Sequence, residues 1–600
     1  MDIEKQIITA VTAVIEKESG HLLPADRIVL QKTRKDFEGD ITIVVFPFVN
    51  MLHRSPEQCA DMLGKAITEA LEEVAAYNVV KGFLNLTLEK SFWLNFLRLN
   101  ADNKLFGMQH TLGGDDDKPV VVEFSSPNTN KPLHLGHIRN NLLGHSVARI
   151  LEAAGKKVVS VNLVNDRGIH ICKSMLAWMK YSNGETPEST GKKGDKLVGD
   201  YYVKFETLLR EQVASIIKEK GIGEEEARKN APLMLEAQAL LRQWEERNPK
   251  VVNVWKMMNA WVYEGFDKTY ARMGIHFDKI YYESDTYLLG RDIVLDGVKR
   301  GKLVKKEDGS VWADLADHKL DEKLLLRADG TSVYMTQDIG TARLRYDDYA
   351  PEKMVYVVGN EQNYHFEVLK KVLKKLDEPF ADAIHHLSYG MVELPDGRMK
   401  SREGTVVDAD DLMNDMYETA RKTTEELGKT EEFAAGEKQK LYHKVAMGAL
   451  KYFILKVDPK KNMLFNPDES IDFNGNTGPF IQYTYARISS IMRKAGADRV
   501  KQSKLNLDAS LLNVKEVALL KNLFGFKQVV VEAAADYNPA QIANYAYELC
   551  KEFNQFYHEH SVLNEPDRAV SDFRLHLAKL TSYAIQNSMS LLGIDVPDKM

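Results

Sequence analysis

Hydrophobic positions along the chain follow helical spacing in some segments and strand spacing in others. Residues 3–18 carry apolar side chains at the three- and four-residue intervals of a helix. The segments ITIVVFPF (41–48) and GFLNLTL (82–88) have the compact apolar runs of strands. This alternation predicts an α+β domain over residues 1–110. The stretch TLGGDDDK (111–118), with paired glycines and an acidic run, is typical of a linker.

A strand, a helix and a second strand are predicted directly after this linker. The strands cover residues 120–124 and 157–163, and the helix covers residues 142–154 between them. A unit of this kind with short connections implies a parallel sheet and a right-handed crossover. Residues 180–275 have helical spacing almost throughout and many charged side chains, which predicts a helical insertion.

The remaining pattern divides the chain into a sheet-containing part and a helical part. Strand patterns return at 353–358 and 387–407, and from residue 433 onward helical spacing dominates. We therefore predict an α/β domain with a Rossmann-like parallel sheet over residues 111–465. An all-α domain is expected over residues 466–600.

Composition restricts the class of protein. The chain has 600 residues, of which 44% are hydrophobic and 28% charged, as in globular proteins with sizeable cores. A net charge of -7 gives no overall basic field, although the 80 lysines and arginines could form a local basic face. Three cysteines without a CxxC pair argue against a disulfide framework and fit a reducing cytoplasm. We expect a cytoplasmic protein without a secretion signal, a membrane span or a DNA partner.

The loop after the first strand of the α/β domain carries candidate chemistry. Residues 125–140 read SSPNTNKPLHLGHIRN, with His134 and His137 three positions apart. Ligands of open α/β sheets bind beyond the carboxyl ends of the strands, where helix N-termini point N–H groups outward. The two histidines can donate to phosphate oxygens, and Gly136 lets a base or a phosphate approach the backbone. The alternatives are a metal site, for which a third ligand at a persuasive spacing is missing, and an ordinary turn.

A second candidate loop, GRMKSREGT (397–405), is basic. It brings Arg398, Lys400 and Arg402 within five residues, and glycines flank these cations as possible hinges. Such cations can neutralise the charge that develops on a departing phosphate group. Taken alone, the segment is more simply interpreted as a solvated basic loop.

These two segments resemble the signatures of class I aminoacyl-tRNA synthetases. PLHLGH is similar to the HIGH signature, and GRMKSREGT is similar to a degenerate KMSKS loop. The wider string VEFSSPNTNKPLHLGHIRNNLLG (122–144) resembles the arginyl-tRNA synthetases in particular. The segment at 538–563 is similar to their helical anticodon-binding domain. DFEGDI (36–41) and KGFLNLTL (81–88) are similar to their additional N-terminal domain, which contacts tRNA in that family.

The resemblance implies a set of site residues. It implies that ATP is bound by His134, Gly136, His137, His365, Met399 and Lys400. It places at arginine the residues Glu123, Asn128, Tyr334, Asp338 and Gln362. It implies tRNA contacts at Tyr483, Tyr485 and Arg487, although their segment also has the spacing of an amphipathic core helix. Ser401 stands where the KMSKS pattern has its second lysine, so Lys131 is a plausible substitute.

The resemblance also implies the reaction. Arginine would attack ATP to give arginyl-adenylate, and tRNA(Arg) would then accept the arginyl group, with Mg²⁺ and with tRNA bound beforehand. The catalytic residues would be His134, His137, Lys131, Lys400 and Arg402. The family's common form is a monomer. The resemblance gives the charge of the arginine site to Glu123 and Asp338, and two carboxylates that fit a guanidinium make an editing domain unnecessary. The alternatives are a class I synthetase for another amino acid, such as cysteine, and an RNA-binding relative without catalysis, which the displaced lysine favours.

Overall fold

The computed structural model describes residues 3–21, 23–24, 27–34, 36–109, 118–393, 407–428 and 433–600. The chain forms two compact units. Unit 1 comprises residues 1–106, 487–527 and 548–585, and unit 2 comprises residues 107–486, 528–547 and 586–600. Each unit joins stretches that are distant in sequence, so the boundaries expected at residues 110 and 465 stay a prediction. No helix within the described ranges is long and apolar enough to cross a membrane.

The N-terminal part of unit 1 contains an antiparallel sheet of four strands, of which residues 41–44 and 83–88 fall in the two predicted strand segments. The sheet has the strand order β1 (Leu30–Lys32), β2 (Ile41–Val44), β4 (Phe83–Leu88) and β3 (Val74–Val80). A capping box between Ser55 and Gln58 begins the third helix, because each side chain accepts from the other residue's backbone N–H. The elements are α1 (Ile3–Ser19), β1 (Leu30–Lys32), β2 (Ile41–Val44), α2 (Val49–Leu52), α3 (Pro56–Ala70), β3 (Val74–Val80), β4 (Phe83–Leu88) and α4 (Lys90–Asn100).

Unit 2 begins with the predicted strand, helix and strand, followed by the predicted run of helices. These elements are β5 (Val120–Glu123), α5 (Leu135–Ala153), β6 (Val158–Val164), α6 (Ile169–Tyr181), α7 (Pro187–Thr190), α8 (Gly194–Lys220), α9 (Glu224–Asn230), α10 (Pro232–Glu245), α11 (Pro249–Met273), β7 (Lys279–Tyr282) and α12 (Glu283–Thr286). Helix α5 lies close to the end of β5, since a Cβ added at Gly144 would lie 2.2 Å from the Phe124 side chain. A glycine is therefore needed at this crossing.

The next part of unit 2 adds two strands to the parallel sheet and a small antiparallel sheet. Its elements are α13 (Leu289–Lys299), β8 (Val304–Lys305), β9 (Val311–Ala313), β10 (Lys323–Leu326), α14 (Tyr334–Tyr349), β11 (Lys353–Gly359), α15 (Asn363–Lys375), β12 (Ile384–Tyr389) and β13 (Val392–Glu393). The antiparallel sheet, in the order β10-β9-β8, has strands of only two to four residues. Runs this short carry too little apolar alternation to be predicted from sequence.

Helices dominate the remainder of the chain, as the sequence predicts. The elements are α16 (Ala409–Glu426), α17 (Ala435–Leu455), β14 (Met463–Leu464), α18 (Pro467–Ser470), α19 (Gly478–Ala495), α20 (Ala497–Gln502), α21 (Val514–Phe524), α22 (Phe526–Ala535), α23 (Pro539–Glu559) and α24 (Arg568–Leu591). The two-residue strand β14 pairs with β13. The helical character of the C-terminal part is thereby confirmed.

The parallel sheet of unit 2 has the order β12-β11-β5-β6-β7. All four neighbouring pairs are parallel, which confirms the predicted Rossmann-like sheet. Strand β5 is buried along its whole length. From β5 the chain proceeds to β6 and β7 on one side, whereas β11 and β12 lie on the other. A ligand site of such a sheet is expected at this reversal, beyond the carboxyl ends of β5 and β11.

A turn near the end of the sequence is held by three helices of unit 2. On α5, Ser146 Oγ donates to the carbonyl oxygen of Leu591 at 2.9 Å. On α17, Lys451 Nζ donates to the carbonyl oxygen of Gly593. On α19, Gln482 Nε2 donates to the carbonyl oxygen of Asp595 at 2.8 Å. Residues 591–595 are therefore an integral part of the unit that contains the parallel sheet.

Candidate active site

The chain makes a sharp turn at the carboxyl end of β5. Ser125 and Ser126 both have positive φ, at 79° and 45°, a conformation that costs free energy for residues with a side chain. Two asparagine side chains hold the turn. Asn140 Oδ1 accepts the Ser125 N–H at 2.5 Å, and Asn162 Oδ1 accepts the Ser126 N–H at 3.0 Å. The turn leads the chain to Asn128, whose side chain is exposed at the reversal point of the sheet.

We call residues 125–137 the signature loop. Its two histidines, His134 and His137, form the N-terminal cap of α5. His134 Nδ1 accepts the Gly136 N–H, and His137 Nδ1 accepts the His134 N–H, both at 3.2 Å. Burial and the neighbouring Lys131 lower the pKa of His134 to about 3, and burial also lowers the pKa of His137. Both imidazoles are therefore neutral near pH 7. Because each Nδ1 accepts a hydrogen bond, the proton of each ring resides on Nε2, which can donate to a ligand.

The signature loop is also tied to the beginning of α16. The Leu135 N–H donates to the Val407 carbonyl at 3.2 Å, and the Ala409 N–H donates to the Leu133 carbonyl at 2.9 Å. Lys131 lies two residues before this short pairing and is only partly exposed. Burial lowers the pKa of its ammonium group. A cation with little water around it interacts strongly with a charge that develops nearby.

Glu123 ends strand β5 and already has a cationic partner. Its Oε2 lies 2.5 Å from Arg345 Nη1 on α14, and its Oε1 accepts from Ser126 Oγ at 3.0 Å. Burial raises the pKa of the Glu123 carboxyl, and the Arg345 guanidinium opposes that shift. The guanidinium carbon lies 5.5 Å and 5.2 Å from the ring centres of Tyr281 and Tyr356. Arg345 is therefore the charged partner of the buried Glu123 carboxyl.

Arg345→Met is expected to lower the free energy of unfolding by about 3 kcal/mol, because it leaves the buried Glu123 carboxylate without its counter-charge. Urea denaturation of the wild type and the variant measures the difference. The double variant Arg345→Met/Glu123→Gln should recover at least half of the loss, since the charge that needs a partner is gone. If the double variant is no more stable than the single one, packing rather than charge accounts for the effect.

The other residues expected to bind arginine lie in the first turns of α14 and in the short turn after β11. Tyr334 begins α14 and is 78% exposed, and Asp338 lies one turn later on the same helix. Asp338 Oδ2 lies 2.5 Å from His365 Nε2, at the beginning of α15. Gln362 is exposed and follows β11 directly. The structure thus brings His365, expected near the nucleotide, against a carboxylate expected at arginine.

A further acid, Glu283, was missed in the sequence. It begins α12 directly after β7, at the same edge of the sheet as Glu123. Glu283 Oε1 lies 3.7 Å from Arg167 Nη1, and Arg167 also pairs with Glu245 at 3.0 Å. Burial raises the pKa of Glu283 to about 7; Arg167 opposes the shift, and nearby Asp166 and Asp338 add to it. The signal available in the sequence was an acid immediately after a strand, in IYYES (280–284).

Asp166 is held in place by hydrogen bonds to two neighbouring elements. Its carboxylate accepts from the Ser284 N–H at 2.8 Å, from Ser284 Oγ at 2.7 Å and from the Tyr263 hydroxyl at 2.9 Å. Its carbonyl accepts from Trp255 and Asn259 of α11. These bonds fix Glu283 in place, because Ser284 is the next residue.

Several predicted site residues lie either outside the described residues or in the C-terminal helices. Met399, Lys400 and Arg402 fall outside the described residues. Of the proposed tRNA contacts on α19, Tyr485 is buried, with 9% of its surface exposed, so its ring packs in the protein interior. Tyr483 is partly exposed. Arg487 is also partly exposed; its guanidinium donates to Asn554 and lies 6.0 Å from the Tyr557 ring centre.

Comparison with known families matches two parts of the chain. Residues 102–466 match a model described as the catalytic domain of class I tRNA synthetases (R). Residues 481–600 match a model described as the DALR anticodon binding domain. The first match contains the parallel sheet, the signature loop and all the described acids of the candidate site.

Curated relatives and solved structures extend the likeness to the full chain. Arginine–tRNA ligases of Phocaeicola vulgatus and Bacteroides fragilis are 54% and 55% identical, with 100% of each chain covered. The arginyl-tRNA synthetase structure of Thermus thermophilus has a TM-score of 0.81, with 24% identity and 100% of both chains covered. That of Plasmodium falciparum has a TM-score of 0.76, with 20% identity, and covers 100% of this chain and 99% of its own. The two structures support the fold.

Proposed function

Because the chain belongs to the arginyl class I tRNA synthetases, we propose that its candidate site carries out arginine–tRNA ligation in two steps. The arginine carboxylate attacks the α-phosphate of ATP, which gives arginyl-adenylate and releases pyrophosphate. The terminal ribose hydroxyl of tRNA(Arg) then attacks the arginyl carbonyl, and AMP leaves. The observation that carries this proposal is a pair of neutral histidines in the loop after β5, at the sheet edge where carboxylates end β5 and follow β7.

The histidine pair provides donors for the ATP phosphates. With Nδ1 of both rings occupied as an acceptor, His134 and His137 each present an Nε2–H. A neutral donor stabilises negative charge on a phosphoryl oxygen without having to lose a proton at working pH. Gly136 keeps the backbone between them open to the nucleotide. His365 and Met399 complete the proposed nucleotide contacts.

The acids of the proposed arginine pocket bind two different groups of arginine, the α-amino group and the guanidinium group. We assign Glu123, the buried carboxylate that pairs with Arg345, to the α-amino group together with Asn128 and Gln362. Asp338 and Glu283 lie close enough for their charges to interact, and we assign them to the guanidinium group, beside the Tyr334 ring. A guanidinium offers several donors in a planar fork that two carboxylates can share, whereas a lysine ammonium is a compact point charge. This arrangement explains the selection of arginine without an editing step.

Cations neutralise the departing pyrophosphate. Lys131 is poorly solvated and lies beside the histidines, so we assign it the main part of this task. Lys400 and Arg402 of the second loop supply further positive charge. Lys131 would thus replace the lysine that the KMSKS pattern has where this chain has Ser401.

We propose that Mg²⁺ enters with ATP. Across the described ranges no group of three or more histidine, cysteine, aspartate or glutamate side chains could hold a metal ion. The phosphate oxygens and water would therefore supply most of its ligands, as is common for Mg²⁺ bound to nucleotides. The ion would offset phosphate charge while Lys131 and the histidines position the triphosphate.

The other segments are proposed to bind tRNA. The matched anticodon-binding domain would hold the anticodon, with Tyr483 and Arg487 as candidate contacts and Tyr485 supporting them from the interior. Residues 1–110 would form the additional tRNA-contacting domain, residues 111–465 the catalytic domain and residues 466–600 the anticodon-binding domain. A monomer working in the cytoplasm, where translation consumes the product, agrees with this assignment.

Arginine-dependent ATP–pyrophosphate exchange, with tRNA added and omitted, tests the proposal. Exchange with arginine and tRNA together supports both the ligase activity and the need for tRNA before activation. Exchange with arginine in the absence of tRNA would support the ligase activity and show that activation does not require bound tRNA. Tight tRNA binding without exchange for any amino acid would favour an RNA-binding relative that has lost catalysis, and exchange with a different amino acid would favour another specificity.

The pKa of Glu283 predicts how arginine use depends on pH. Above its pKa of about 7 the carboxylate is ionised and binds the guanidinium, whereas below it the neutral acid does not. We expect kcat/KM for arginine to fall by up to about tenfold per unit as the pH decreases below that value. The KM for ATP serves as a control and should change little. Glu283→Gln should have a low kcat/KM without this dependence; a flat wild-type profile between about pH 6 and pH 8 would contradict the assignment.

A further inference from the structure

The first two turns of α8 contact the signature loop and the beginning of α16. Helix α8 belongs to the helical insertion, for which neither the sequence nor the proposed function supplies a role. Gly199 of α8 lies directly over the loop: a Cβ added there would be 2.9 Å from Pro132 Cδ and 3.6 Å from Lys131 Cα. Pro132 Cδ is part of a ring closed on the backbone, so this neighbour cannot move aside without the loop. The glycine therefore sets how closely α8 approaches Lys131.

The beginning of α8 is also joined to the beginning of α16 by ion pairs. Lys193 Nζ donates to Asp410 Oδ2 at 2.6 Å, to Asp195 Oδ2 at 3.0 Å and to the Thr269 hydroxyl. All three N–H donors of this ammonium group are thereby used. One turn later, Lys196 Nζ donates to Asp411 Oδ2 at 2.8 Å.

Helix α11 of the same insertion reinforces this junction. Arg272 Nη1 donates to Asp410 Oδ1 at 2.8 Å, and the Thr269 hydroxyl donates to Asp410 Oδ2 at 2.9 Å. Asp410 is thus held by two cations and one hydroxyl from two helices. Lys193 and Asp410 have about a fifth of their side-chain surface exposed, at 20% and 19%. Ion pairs that are largely removed from water hold their geometry more firmly than exposed ones.

The contacts form a closed path. Helix α8 holds Asp410 and Asp411 on α16. The neighbouring residues 407–409 pair with residues 133–135 of the signature loop through backbone hydrogen bonds. Gly199 of α8 in turn packs against Lys131 and Pro132 of the same loop. We propose that the first two turns of α8 are a positioning element that fixes Lys131 and His134 for the activation step. The inference rests on the function proposed above, because it gives Lys131 and His134 their tasks.

Positioning matters here because Lys131 acts on charge that develops only during pyrophosphate release. A misplacement of about 1 Å can cost about a hundredfold in rate, so a shift of a few tenths of an ångström corresponds to about tenfold. The second step releases AMP and involves no pyrophosphate. A displaced Lys131 should therefore slow activation and leave transfer from preformed arginyl-adenylate unchanged, whereas general destabilisation would slow both.

Gly199→Ala tests the inference. We expect kcat for arginine-dependent ATP–pyrophosphate exchange to fall about tenfold, with the KM for arginine and the transfer rate from preformed adenylate within about twofold of wild type. Gly436→Ala, in a helix position with no atom within 4 Å of an added Cβ, is the matched control and should behave as wild type. Adding Pro132→Ala to Gly199→Ala removes the crowded ring atom and should restore part of the activity.

Lys193→Gln provides an independent variant, should Gly199→Ala fold poorly. It removes the charge that holds Asp410 and should likewise slow activation several-fold without slowing transfer. Lys229→Gln, which breaks an exposed ion pair with Glu225 on the same insertion, is its control. Wild-type activation in both test variants, or equal slowing of both steps, would overturn the inference. If the wild-type enzyme measured alongside shows no arginine-dependent exchange, the proposed function fails first and the inference falls with it.

Discussion

Asp338→Asn is expected to raise the KM for arginine at least about thirtyfold, because truncating one partner of a charge pair that loses its water on binding costs about 2 kcal/mol or more. The substitution keeps the size of the side chain and removes the charge that faces the guanidinium. The value of kcat should change much less, since the carboxylate binds a part of arginine that does not react. Steady-state exchange measured over a range of arginine concentrations separates the two parameters.

A matched control lies on the same helix. Asp347→Asn removes an exposed acid that pairs with Arg343, at 60% side-chain exposure, and should leave the KM for arginine unchanged. Both variants carry one negative charge fewer, so a general effect of charge would appear in both. A KM within about tenfold of wild type for Asp338→Asn would remove this residue from the guanidinium site and leave Glu283 as its main acid.

Lys131→Ala should lower kcat for exchange by up to about a thousandfold, the loss seen when a group that stabilises transition-state charge is deleted. No other cation among the described residues is placed in the loop before the histidines. The KM for arginine should stay close to that of wild type, because Lys131 acts on the phosphate side of the reaction. Single-turnover transfer from preformed arginyl-adenylate should proceed normally, since pyrophosphate has already left.

Lys157→Ala is the corresponding control. Lys157 is exposed and lies just before β6, at the opposite edge of the parallel sheet. Its removal changes the net charge by the same amount at a distance from the phosphates. If Lys131→Ala retains more than about a tenth of the wild-type kcat, the charge on pyrophosphate must be neutralised mainly by other groups, and Lys400 and Arg402 become the first candidates.

The sheet could be predicted from sequence because its strands have strong local signals. The apolar runs near residues 120, 158 and 353 became β5, β6 and β11, each buried enough to require such a run. The apolar spacing predicts the beginning of α5 one to two turns later than the structure has it. The helix starts at Leu135 rather than at residue 142, because His134 and His137 form its capping box. Histidine is not among the residues that usually signal a cap, so the pattern rules do not find it.

The site could be predicted only in part, because its charges are decided by partners that are distant in sequence. That Glu123 needs a partner follows from its place at the end of a buried strand, but nothing local indicates Arg345 on another element. Glu283 is similarly inconspicuous in sequence, and it acquires an unusual pKa only through burial and through the neighbours that the fold brings to it. The types of residue were predictable, whereas their pairing was not.

The turn at residues 591–595 has a consequence for the order in which the protein matures during synthesis. Its carbonyl groups accept hydrogen bonds from Ser146, Lys451 and Gln482 on α5, α17 and α19, so these three bonds form only after the turn has emerged from the ribosome. The stretch between α19 and the turn takes on the order of ten seconds to translate at about 5–20 residues per second. During that interval the nascent parallel-sheet unit lacks its last segment, so it reaches its final hydrogen bonding only at the end of synthesis.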